Sequence, residues 1–344
     1  MKTIKRIVFI TLGFFSLFCA NTAFAQRGGM SQGETLEVRL ASFLPRNSDW
    51  GRCLDRMAAE WARVTNNRVR LRVIHDGLEG GERKMLSSLS TDNIQAAVLA
   101  SFGLQNICPS VLTISAPFLI RGEDELDTVL ANTIPLLDAQ IDKTKFVVLA
   151  WSKGGWVNIF SKDPVFVPDD LRRHRIATNP DDVKFNAAFK AMGFNLEESE
   201  MNDVGTKIAN NMVNAFYQTP AAVAPLLLHK QLKNMLDLPI APFLGAIVIN
   251  GVTWNKISKD DQSEILRVTR KTAADFESVI PRTVANAVTM MQKDGLKVNR
   301  ISPAQEQLWR NDVQRAVPSL MGVTFDPVLY GQINEILRKS RNGQ

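Results

Sequence analysis

Apolar and polar positions alternate with two different periods along this chain, and the periods take turns. Residues 36–42 (Leu-Glu-Val-Arg-Leu-Ala-Ser) alternate with period two and predict a half-buried strand. Asn47 and Ser48 then offer caps for a helix from Asp49 to about Val64, with Leu54, Met57, Ala58 and Trp61 on one face. Residues 69–74 (Val-Arg-Leu-Arg-Val-Ile) alternate again. A glycine cluster, Gly77 with Gly80 and Gly81, precedes a helical stretch from Glu82 to Leu89. Residues 96–101 (Ala-Ala-Val-Leu-Ala-Ser) form an apolar run of the kind buried on both faces of a sheet. Strand, helix, strand, helix, strand predicts an α/β unit with a largely parallel sheet.

A second such unit starts near Phe146. Strands are predicted at 146–150, 159–161, 175–178 and 213–217, and helices over Asp181–Met192 and Val204–Met212. Gly193 is placed to end the first of these helices. Pro220 opens a Leu-rich stretch predicted as helix through Leu232, and residues 236–250 are long, extended and apolar. A helical pattern then runs from Ser258 to about Gln292, where Pro281 should kink it. A strand at 296–300 and two amphipathic helices complete the chain.

Composition changes this picture mainly at the N-terminus. The chain has 344 residues, is 45% hydrophobic and carries a formal charge of +6. Lys2, Lys5 and Arg6 precede an apolar run from Ile7 to Cys19, and Ala23 and Ala25 follow. That is the pattern of a secretory signal peptide over residues 1–25, cleaved after Ala25 to leave Gln26 first. Phe18 is bulky for the residue before a lipidated cysteine, which argues against Cys19 as an anchor. Cleavage leaves 38 basic and 35 acidic residues, a balance of +3 that gives no reason to expect a nucleic-acid partner.

Candidate chemistry is sparse. Cys53 and Cys108 could pair in an oxidising compartment or stay as buried thiols. The histidines, His75, His174 and His229, are scattered singly. No metal-ligand spacing, nucleophile–base motif or phosphate loop occurs, so neither a cofactor, a metal nor an enzymatic activity is expected. Gly77-Leu-Glu-Gly-Gly81 at a helix start reads as framework, although such a start could cradle an anion.

Six stretches in order carry a family resemblance. They are LEVRLASFLPRNSDWGRCLDRMAAEWARVTNNRVRLRVI, GLEGGERKMLSSL, ISAPFLIRGEDEL, GGWVNIFSKDPVFVPDDLRRHRIATNPDDVKFNAAFKAMGFN, NNMVNAFYQTP and VINGVTWNKISKDDQSEIL. Together they resemble the periplasmic solute-binding subunit of a TRAP transporter, the DctP-type family. The resemblance implies a two-domain α/β periplasmic binding protein with two crossing strands and a long helix spanning both domains. Residues 34–150 with about 240–280 would form the first domain, and 151–239 with about 285–344 the second. It further implies a monomer in the periplasm that closes on one small ligand and delivers it to membrane permease subunits, with or without an accessory periplasmic protein. A ligand sensor without a transport role would share the fold.

The family's ligand is typically a carboxylate clamped by an arginine in a lysine-isoleucine-arginine strand just before a proline. Here the strand reads Arg175-Ile176-Ala177-Thr178-Asn179-Pro180, with Ala177 in the arginine's place. A second arginine often follows a glycine-aromatic pair; here Val157 follows Gly155-Trp156. Two readings remain open. The cleft could take a hydrophobic or amphipathic ligand, against Phe43, Trp156, Phe216 and Tyr217 with Asn179 and Gln218 as hydrogen bonders. Alternatively an arginine is displaced, Arg175, Arg173 or Arg172, with 173, 175 and 177 on one side of the strand.

Overall fold

The computed structural model describes residues 35–201 and 203–343. The expected signal peptide, its cleavage site and Cys19 lie outside the described residues. Ten strands form the framework: β1 Leu36–Ala41, β2 Val69–Ile74, β3 Ala96–Ala100, β4 Phe146–Ser161, β5 Arg175–Thr178, β6 Asn195–Glu198, β7 Ala215–Gln218, β8 Asn234–Leu236, β9 Ala241–Asn250 and β10 Lys297–Asn299. They join in the order β2-β1-β3-β9-β4-β7-β5-β6, with β8 between β4 and β10.

The expected parallel character holds only toward the ends of the sheet. β1 pairs in parallel with β2 and β3, and β5 does so with β6 and β7. The middle is antiparallel, because β4 and β9 run against each other and against their outer neighbours. These two long strands connect the lobes: β4 starts opposite Asn250 and ends beside β7. Residues 146–161 are therefore one strand rather than two.

Alternation places a core on each face of each lobe. In β3, Ala97 and Leu99 enter one cluster with Ala41 and Met85, while Ala96 and Val98 enter another with Leu40, Met57 and Trp61. In the second lobe Phe160, Ala177 and Phe216 face one cluster, and Ile159, Ile176 and Ala215 the other. The period-two pleat is what divides neighbouring residues between faces.

The helix Lys259–Lys293 is one element of 35 residues that continues through Pro281. Ser258 caps it by accepting the Asp261 N–H. Its first half buries Ile265 and Val268 in the first lobe, and its last turns bury Met291 in the second. Trp61 Nε1 donates to Thr269 Oγ1 at 3.0 Å, tying the helix Asp49–Val64 to it. Where the lobes meet, the β4–β9 register shifts between Lys153 and Trp156. Gly155 adopts φ +91°, and a Cβ on Gly154 would lie 2.4 Å from the Phe243 ring, so both positions require glycine.

Three segments differ from the expectation. The Leu-rich stretch is α-helical only over Pro220–Val223, and after Leu227, at φ +54°, it holds just a 3-10 turn at Leu228–Lys230. A helix at Glu123–Gln140, unmarked in the sequence reading, buries Leu126, Val129 and Leu137. The helix Pro327–Arg341 packs its Leu329, Ile333 and Leu337 in the same cluster as those residues, on the first lobe, although its sequence position groups it with the second. Among the described residues no helix is long and apolar enough to cross a membrane. Cys53 and Cys108 are buried and unpaired with each other.

Candidate functional site

The C-terminal ends of β5 and β7 open into a pocket of about 530 Å³. This is the end of an α/β sheet at which ligands usually bind. Its second-lobe wall comes from Ala177 to Asn179, from Phe216 to Gln218, and from Asp182, Phe185, Asn186 and Phe189 along the helix Val183–Ala191 and its start. Phe102, from the first lobe, faces them. None of the lining residues is Lys, Arg or His.

An aromatic surface forms one side. Phe185 stacks on Tyr217 with ring centroids 5.6 Å apart, and Phe189 approaches them at 4.8 and 5.5 Å. Such geometry is worth more than area burial alone. Two buried carbonyl or carboxylate oxygens beside it lack donors. Asp182 is 3% exposed and its Oδ1 has no hydrogen-bond partner among the described residues. Asn186, 4% exposed, spends its Nδ2 on the Asn179 carbonyl at 2.9 Å and leaves Oδ1 unpartnered. The buried Thr178 hydroxyl is also unpartnered.

Burial pushes the Asp182 carboxyl up to about 7, only partly offset by the nearby Phe185 N–H and Gln105 amide. A second buried carboxyl, Glu82, sits on the first lobe. Its Oε2 accepts from the Ala100 and Gly103 amides at 2.9 and 2.7 Å. Burial raises it to about 7, with Asp181 and Asp182 adding to the rise. Burial, and secondarily the Asp182 charge, push the Tyr217 hydroxyl upward too. The lobes touch through one ion pair at this edge, Arg83 Nε to Asp181 Oδ1 at 2.9 Å. Arg83 is largely exposed, so the pair contributes only about 0.2–1 kcal/mol and holds the lobes together weakly.

Of the residues named from sequence, Ala177, Asn179, Phe216, Tyr217 and Gln218 line this pocket. Phe43 lines a separate open apolar groove with Trp50, Phe243 and Phe276. Trp156 and Val157 line neither. Trp156 donates through Nε1 to Glu123 at 2.6 Å, and Val157 is buried in β4. The reason is the register shift just before them, since such an irregularity re-aims the side chains that follow.

The three candidate arginines lie elsewhere. Arg175 is exposed and its guanidinium donates to the Asn211 carbonyl. Arg172 is held by Asp169, Asp312 and the Met192 carbonyl, and lies over the Phe194 ring. Arg173 is exposed beside Asp170. Arg175→Ala should therefore leave ligand affinity within about twofold of wild type in a calorimetric titration. Sequence reasoning missed Asp182 and Asn186, since Asp181-Asp182 reads as an ordinary acidic helix start. Asp182 does precede the helix but its side chain caps nothing.

The sheet order, the crossing strands β4 and β9, the spanning helix and a pocket between lobes define a two-lobed solute-binding protein. The model of the family described as bacterial extracellular solute-binding protein, family 7 (DctP) matches residues 40–321, and the chain belongs to that family. It is a family of receptors rather than enzymes. A solute-binding protein of Sulfitobacter sp. (strain NAS-14.1) is 25% identical over 183 residues, covering 53% of this chain and 55% of the relative. The chain thus spans about half the length of that curated relative. Among solved structures, a TRAP periplasmic solute-binding protein of Ralstonia eutropha H16 with bound (S)-2-acetolactate superposes with a TM-score of 0.81. Identity there is 18%, with 88% of this chain and 99% of that one covered. One from Haemophilus influenzae RdAW with bound L-gulonate gives 0.80, at 18% identity, covering 90% and 100%. Likeness at that identity carries the fold; both of those ligands are organic acids.

Proposed function

We propose that this chain is the exported receptor of a TRAP-type transporter and captures one small amphipathic molecule lacking a carboxylate clamp. Export would follow cleavage after Ala25, and the permease subunits would be its partners at the membrane. Family membership supports the receptor role. The observation that carries the ligand reading is the pocket itself, which joins aromatic rings to buried acceptors and has no cation. A small dicarboxylate there would lose its hydration without gaining a counter-charge, at a cost of several kcal/mol. The residues proposed as contacts are Ala177, Asn179, Phe216, Tyr217 and Gln218, with Asp182, Asn186 and Phe102 added. The lobes, roughly 34–150 with the 240–280 segment against 151–239 with most of the remainder, would close by bending at Gly154-Gly155.

The test is isothermal calorimetry of short carboxylates, uronates and amphipathic compounds against the purified protein, followed by small-angle scattering. Micromolar binding of an amphipathic compound with a smaller radius of gyration is expected. Tight binding by a short carboxylate alone would overturn the ligand reading.

A further inference from the structure

Two of the pocket's most deeply buried polar groups share a sign. Asp182 Oδ1 and Asn186 Oδ1 are acceptors, each without a donor, on residues more than nine-tenths buried. Within a low-dielectric site, an acceptor left without a donor is costly, and a ligand that supplies N–H groups relieves it. The surrounding charges point the same way. Glu82 faces the pocket edge from the first lobe, and Asp181 and Glu200 lie beside Gly81. Arg83, at this edge, is already paired with Asp181 and is not a lining residue. Beside the acceptors stand Phe185 and Tyr217, whose ring faces attract a positive group.

Resting on the receptor reading above, we infer that the solute is an organic cation: an ammonium on an apolar or aromatic body, its N–H groups directed at Asp182 and Asn186. A carboxylate would instead meet the Asp182 charge. The apolar body would lie along Phe102, Phe189 and Phe216. The inference reverses the charge preference seen in the organic-acid complexes of the structural neighbours.

Affinity for such a cation should rise with pH. Asp182 carries its charge only above about 7 in the empty pocket, while an ammonium stays protonated. The titratable and charged groups facing Asp182 are Glu82, Asp181 with its partner Arg83, and Tyr217. Glu82 and Asp182 oppose each other's ionisation, so a cation gains by neutralising the pair.

The test uses three series matched in size: alkyl and arylalkyl ammonium ions, the corresponding alcohols, and the corresponding carboxylates. Each is titrated calorimetrically into the full exported protein at pH 6 and pH 8. The expected order is ammonium, then alcohol, then carboxylate, with ammonium affinity at least threefold higher at pH 8. Asp182→Asn should weaken the ammonium series at least tenfold and remove its pH dependence, leaving the best alcohol within about threefold. Asn186→Ala, checked for folding by its thermal melt, should weaken the same series by a smaller factor. Carboxylates binding more tightly than ammonium ions, or ammonium binding indifferent to Asp182→Asn, would overturn the inference and leave the receptor reading intact. No binding by any series would overturn both.

Discussion

Lowering the pH from 8 to 5.5 should stabilise the unliganded protein against heat. The effect comes from Glu82 and Asp182, both raised by burial to about 7. A carboxyl with a raised folded-state pKa binds protons more tightly when folded. Between the unfolded value near 4 and the folded value near 7, the native state therefore holds more protons, and stability falls as pH rises. One pKa unit is about 1.4 kcal/mol, so between pH 5.5 and the folded value near 7 each group loses about 2 kcal/mol. The pair would lower the melting temperature by roughly 5 °C or more at pH 8. Carboxyls held down by partners, such as Glu125 beside Arg341 and Asp261 beside Arg68, work in the opposite direction. Their loss is felt below about pH 4, outside this window. Scanning fluorimetry across pH 5.5–8 reads the effect directly. Asp182→Asn and Glu82→Gln should each flatten the curve. A melting temperature that is constant or rises toward pH 8 would contradict the burial of the two acids.

The double change Ala177→Arg with Asp182→Asn should turn the pocket toward carboxylates. Ala177 is 1% exposed, lies on β5 and lines the pocket. An arginine there occupies the place where the resemblance puts the family's clamp. Charged hydrogen bonds from a guanidinium contribute about 1.5–3 kcal/mol, or roughly 10- to 150-fold in affinity. Ala177→Arg alone should pair with Asp182 across the pocket and abolish native ligand binding. With Asp182 neutralised, the guanidinium is free for a ligand oxygen, and a short carboxylate that wild type ignores should bind measurably. Calorimetry on both variants, with circular dichroism as the folding control, checks this. Failure of the folded double variant to bind any carboxylate would mean that something other than the missing cation excludes them.

Much of the framework was legible because strands here obey their period. Leu36–Ala41, Val69–Ile74 and Ala96–Ala100 lie where alternation or a fully apolar run placed them. Alternation does not reveal direction, so the antiparallel centre of the sheet was not visible. Nor was the fate of the Leu-rich segment, which tertiary pairing of Asn234–Leu236 with β4 and β10 and the turn at Leu227 override. In the site, Ala177 and Phe216 to Gln218 were found through resemblance. Trp156 was misplaced because the register shift before it is a three-dimensional event that leaves no mark beyond a glycine pair. Asp182 was overlooked because an acid before a helix is ordinarily a solvated cap. It shares its surroundings with Glu82 and Phe102, some eighty to a hundred residues away, which no local pattern encodes.

We propose that this receptor holds a single solute that needs no carboxylate clamp. Native mass spectrometry of the protein released gently from the periplasm, followed by denaturation and identification of the released compound, tests it most directly. One small molecule per chain is expected, without a carboxylate and lost in Ala177→Arg. A stoichiometric uronate or dicarboxylate, retained in Asp182→Asn, would contradict it.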